Sequence, residues 1–106
     1  MAVTGLGIIK TRANASITAG SPAAIWTPAS GKKFNVVQGQ LSLSVAGQII
    51  LKDATTEILR SPQLAAAGVW AFALEGAKLS AAADNVLNID VSATGSVGGW
   101  VGGEEV

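Results

Sequence analysis

The chain contains no cysteine and no histidine. Disulfides, thiol nucleophiles, imidazole bases and Cys/His zinc sites are therefore excluded. Charge is also scarce: charged residues make up 13% of the chain, about half the usual ~25%. Seven basic residues balance seven acidic ones, giving a formal net charge of +0. No whole-molecule field draws in nucleic acid or an anionic membrane. Long apolar runs are missing too. A bilayer span needs about 20 apolar residues, whereas the Ile49–Leu51 run stops at Lys52-Asp53. A secretory signal places basic residues before its apolar segment, but here Lys10 and Arg12 follow Ile8-Ile9. Cytoplasmic synthesis without membrane insertion is the expectation.

What is present points to one packed domain. The chain has 106 residues, close to the commonest domain size of ~100–150. Its hydrophobic share of 49% excludes a disordered polar tail. Small soluble domains usually place charge at roughly 25–35% of surface positions. With so few charges and nineteen alanines, this surface must be built from small polar and apolar residues or be covered by another subunit. The composition favours a protein packed against copies of itself or a larger lattice.

The apolar pattern is that of strands. From Asn85 to Ala93, Leu87, Ile89, Val91 and Ala93 share one face, with Asn88, Asp90 and Ser92 on the other. This strict alternation predicts a half-buried antiparallel strand. In Val69–Glu75, Trp70, Phe72 and Leu74 alternate with Ala71 and Ala73, so rings fill a core while alanines lie close to something else. Between Lys33 and Val45 the phase changes: Phe34 and Val36 share one face, and Val37, Gly39, Leu41, Leu43 and Val45 the other. A phase change predicts a bulge or a strand bending between sheets. Ala46-Gly47 reads as a tight hairpin into Gln48–Lys52, and Asp53–Thr56 as the turn into Glu57–Arg60. The strands end with Val97–Val101. The segments 61–68 and 79–83 are too short for more than one helical turn. About eight short strands at this spacing predict an all-β sandwich or barrel.

Residues 1–20 hold three glycines and no aromatic. They read as an extended N-terminal arm preceding a sandwich domain over 21–106. Lys10, Arg12, Lys32 and Lys33 have no acid near them, and all seven acids lie from Asp53 onward. This fits either an ordinary solvated pattern or a polarised molecule whose basic end meets an acidic partner.

No catalytic constellation emerges. Nucleophilic triads lack their base. Asp84 and Asp90 read as a turn residue and an exposed strand position rather than a carboxylate pair. Asp53, Asp84 and Asn85 offer oxygens, without the spacing of an EF-hand calcium loop. Gly31-Lys32 fails as a phosphate loop because Trp26 and Lys33 occupy its glycine and Ser/Thr positions. Phe34, near Lys32 and Lys33, reads as a core aromatic ahead of a stacking platform for single strands. Trp26, Trp70 and Trp100 read first as core or subunit-contact residues, with sugar stacking on Trp26 or Trp70 the alternative. Neither an enzyme nor any cofactor or metal site is expected.

Several segments nonetheless form a characteristic order. Trp26-Thr27-Pro28-Ala29-Ser30-Gly31-Lys32-Lys33-Phe34 opens it, followed by Ile50-Leu51-Lys52-Asp53 and Thr56–Arg60. Leu79-Ser80-Ala81-Ala82, Asn85-Val86-Leu87, Ser92–Val97 and Gly103-Glu104 complete it. Across about residues 24–105 this resembles the small β-sandwich virion proteins of tailed bacteriophages. The resemblance implies an antiparallel jelly-roll-like sandwich, synthesised in the host cytoplasm and carried on the virion as a capsid decoration (cement) protein. Its implied partners are the major capsid protein and further copies of itself, as a homotrimer, with no nucleic acid and no membrane. Ile8, Ile9, Lys10 and Arg12 on the arm are the expected capsid contacts. Trp100 and Val101, between glycines, are the expected subunit interface. Two alternatives stand beside this reading: a tail, baseplate or fibre module, and a carbohydrate-binding domain.

Overall fold

Hydrophobic alternation with frequent turn residues produces strands throughout the computed structural model, which describes residues 7–106. The strands are β1 (Ile8–Ile17), β2 (Ala23–Trp26), β3 (Phe34–Leu43), β4 (Ile49–Asp53), β5 (Thr56–Arg60), β6 (Gly68–Leu79), β7 (Leu87–Val91) and β8 (Gly95–Glu105). They form two four-stranded sheets, ordered β1-β8-β3-β6 and β2-β7-β4-β5. Every pairing is antiparallel. The fold is thus all-β, with two sheets arranged as in a β-sandwich.

Both sheets point their apolar phase at a shared core. Trp26, Ile49, Leu51, Leu87, Ile89 and Val91 supply it from one sheet, and Ile17, Phe34, Val36, Leu41, Leu43, Trp70, Val97 and Val101 from the other. Each such side chain taken fully out of water contributes about 1.5–3 kcal/mol, so the interior between the sheets is the main source of stability. Trp26 and Phe34 lie at its heart with ring centroids 5.9 Å apart.

The phase change in β3 is a bulge. Against β8, Val36 pairs with Gly103 and Gln38 with Gly102, so the extra residue Val37 lets Phe34, Val36, Leu41 and Leu43 all face inward. Against β6 the partner jumps from Lys78 to Ala73, and the extra residues lie on β6. The β4–β5 hairpin also forms, with Asp53 opposite Thr56 and Ala54 in the left-handed region at φ 56°.

Other expectations need correction. Ala46-Gly47 is no hairpin: β3 and β4 belong to different sheets. Gly47 instead bridges to Leu64, each residue donating to the other's carbonyl. Only β4 and β5 are consecutive strands in one sheet, and every other link crosses between the sheets. Asp90 is not exposed but 4% accessible. Its carboxylate accepts from the N–H groups of Gly20 and Val91 and pairs with Lys52 at 3.1 Å. Residues 7–20 of the expected arm are described, and Ile8–Ile17 is β1, hydrogen-bonded along β8; residues 1–6 lie outside the described residues.

Candidate functional site

The composition of β8 determines the outer surface of the β1-β8-β3-β6 sheet. Gly98, Gly99, Gly102 and Gly103 bracket the two side chains Trp100 and Val101. Successive strand residues face opposite sides, and here Val101 is fully buried while Trp100 is half-buried on the outer face. Val101 therefore packs within its own chain. Trp100 lies on an inner strand of the sheet, opposite Thr11 of β1 and Gln40 of β3.

The glycines are required by close approach. Gly99 has φ 134°, and a Cβ there would collide with the Gln40 carbonyl. At Gly98 a Cβ would press on the backbone of Asn14. Asn14 sits in a second bulge, where the β1–β8 register shifts between Arg12 and Ala15. Arg12 closes that bulge: its Nε donates to the Val97 carbonyl at 3.0 Å and its Nη2 to the Ala15 carbonyl at 3.3 Å.

The bare stretch of β8 becomes the floor of a shallow trough. One depression of ≈310 Å³ is lined by Arg12, Asn14, Gln40, Ser42, Val69, Gly98, Gly99 and Trp100. A second, of ≈320 Å³, shares Asn14, Ser42 and Val69 and continues toward Ser44, Ala67 and Gly68. The Ser42 hydroxyl donates to the Gly98 carbonyl at 3.3 Å. Among the described residues no carboxylate lines either depression. The polar phase of β3 carrying Gln40 and Ser42 is readable as the alternation opposite Leu41 and Leu43. Asn14 is not, because only the bulge brings it over Gly98.

The other expected contact residues lie along β1. Ile8, Lys10 and Arg12 are half-buried and Ile9 is 58% exposed. Trp26 and Trp70, the proposed sugar platforms, are core residues at 0% and 9% accessibility, which removes both from any surface role.

The loop carboxylates are engaged in structural bonds. Asp53 accepts from the Ala81 N–H at 2.7 Å and the Asn85 amide at 2.9 Å. Asp84, in the left-handed region at φ 68°, accepts from the Gly31 N–H at 2.7 Å. Among the described residues no group of three or more acidic, histidine or cysteine side chains is placed to hold a metal. Glu105 accepts from the Trp26 indole and the Ala29 N–H. The indole bond foremost, with the Ala29 N–H and the charges of Lys10 and Lys32, holds its carboxyl below the usual range against burial. No protein-family model matches the chain, and no curated protein or solved structure is significantly similar to it.

Proposed function

We propose that this protein is a structural virion component of a tailed phage, a capsid decoration (cement) protein that acts by contact. The observation that carries this reading is the state of the β1-β8-β3-β6 sheet at its edges. β1 and β6 border it with 10 and 12 residues. Among the described residues three of the four exposed large hydrophobics, Ile9, Val69 and Leu79, lie on these two strands, the fourth being Val106. An edge strand offers unpaired N–H and C=O groups, and monomers usually blunt it with proline, bulges or charge. Neither strand has a proline, and although β1 carries Lys10, Arg12 and a bulge and β6 carries Glu75 and Lys78, each keeps an uncharged run, 13–17 in β1 and 68–74 in β6. Such edges suit neighbours in a lattice.

In this reading the sandwich is a jelly roll, supported by a strand order in which β1 pairs with β8, β3 with β6, β2 with β7 and β4 with β5; jelly rolls recur in viral capsid and lectin domains. Ile8, Ile9 and Lys10 on β1 meet the major capsid protein, and β6 contributes to contacts between copies in a homotrimer. The guanidinium of Arg12 already bonds two carbonyls of its own sheet, so its contribution is to shape β1. Binding only the assembled lattice stabilises it by mass action.

The test mixes purified protein with capsids that lack it. Co-sedimentation and greater resistance of the capsids to heat or chelator are expected. Absence of both refutes the assignment.

A further inference from the structure

Trp26 and Trp70 are buried, leaving Trp100 as the indole with a partly open surface. It lies in a trough whose other walls are amide, hydroxyl and glycine backbone. An indole offers a flat apolar platform whose negative face attracts weakly positive C–H groups. Asn and Gln amides each present donors and an acceptor side by side. Among the described residues the side chains of Asn14 and Gln40 make no hydrogen bond, so both are available to a ligand. A ligand that fits carries an apolar face fringed by hydroxyls.

Charge narrows the class. A cationic ligand would find no carboxylate here, and a polyanion needs several cations where the trough has only Arg12, already bonded to two carbonyls. Shape narrows it further. Each depression falls in the ~300–1,000 Å³ range of small-molecule sites. Both are open and share Asn14, Ser42 and Val69, so an extended molecule can lie across them. We infer that this trough is a subsite for a neutral oligosaccharide, with Trp100 as the stacking platform and Asn14, Gln40 and Ser42 as hydroxyl partners. Val69 lines both depressions and also belongs to the proposed contact between copies, so the sugar test is made on the unassembled chain, and its outcome does not draw on the capsid assignment.

The test titrates the full chain with malto-, cello- and chitotriose up to roughly 10 mM, tenfold above a millimolar dissociation constant. Indole fluorescence and the three indole N–H signals in nitrogen-15 NMR are followed. A saturable change confined to Trp100 is expected with at least one trisaccharide. Trp100→Ala should abolish it, Trp100→Phe should retain part of it, and Asn14→Ala with Gln40→Ala should weaken it about tenfold or more. Should Trp100→Ala fail to fold, the exposed Asn14/Gln40 double variant and the Trp100 signal decide. Silence with all three sugars, or binding that ignores these substitutions, overturns the inference. So does a Trp100 signal that follows protein concentration and not sugar, which would make the trough a contact between copies.

Discussion

Trp26 donates its indole N–H to Glu105 Oε2 at 2.8 Å, across 79 residues of sequence. The bond joins the end of β2 in one sheet to the end of β8 in the other, and the second carboxylate oxygen accepts from Ala29 at 3.2 Å. Because Trp26 is fully buried, removing the acceptor strands an indole N–H. Glu105→Ala should therefore lower stability by about 1–3 kcal/mol. Glu105→Gln, whose amide oxygen still accepts, should lose clearly less. Urea denaturation of both variants checks the order, and equal losses would contradict it.

Stability should fall in acid, and Asp90 should carry part of the fall. Burial pushes its carboxyl up, but hydrogen bonds from the Val91 N–H, Lys52 and the Gly20 N–H together outweigh burial and hold it below the usual value. A depressed folded pKa means that the unfolded chain takes up the proton first. The contribution is thus complete above the unfolded value of about 4 and disappears as pH falls through the folded one. Glu105, also depressed, acts in the same direction. Denaturation midpoints should drop between about pH 5 and about pH 2, and Asp90→Asn should flatten that drop while lowering stability at pH 7.

The same residue marks where sequence reading stops. Alternation places Leu87, Ile89 and Val91 in the core correctly, and by the same rule places Asp90 in water. It is buried because β7 lies between β2 and β4, with the Gly20 backbone and Lys52 covering its outer side. The Val37 bulge is legible because a local change of phase encodes it. Strand order is not, since which strands pair depends on contacts far apart in the chain; hence Ala46-Gly47 resembles a hairpin while linking two sheets. β1 escapes notice because its half-buried positions include Lys10 and Arg12. The trough is half-legible: Trp100 and the polar phase of β3 can be read, whereas Asn14 arrives only through the Arg12–Ala15 bulge.

Glycines in this fold should differ sharply in their tolerance of alanine. At Gly99 the backbone has φ 134° and a Cβ would run into the Gln40 carbonyl, whereas at Gly76 nothing lies within 4 Å and no such φ occurs. Backbone strain of about 1–3 kcal/mol and overpacking of about 1–3 kcal/mol both apply to Gly99→Ala. Relief would require β3 and β8 to separate, which would also widen the floor under Trp100. Gly76→Ala should stay within about 0.5 kcal/mol of the parent. Thermal unfolding of the two variants supplies the comparison, and similar midpoints would argue against the tight β3–β8 approach.

Edge charge should separate association from folding. Ile9 is 58% and Val69 55% exposed, on the two strands that border one sheet. Substitution at such positions normally shifts stability by no more than about 0.5 kcal/mol, yet a lysine there is the device by which natural sheets repel a pairing strand. In the proposed assembly Ile9 faces the capsid and Val69 a neighbouring copy. Ile9→Lys should then reduce capsid co-sedimentation while leaving the native mass unchanged, and Val69→Lys should shift native mass toward the monomer. Urea midpoints should match the parent in both. If both variants instead associate and sediment like the parent, the β1 and β6 edges are not where this protein meets its neighbours.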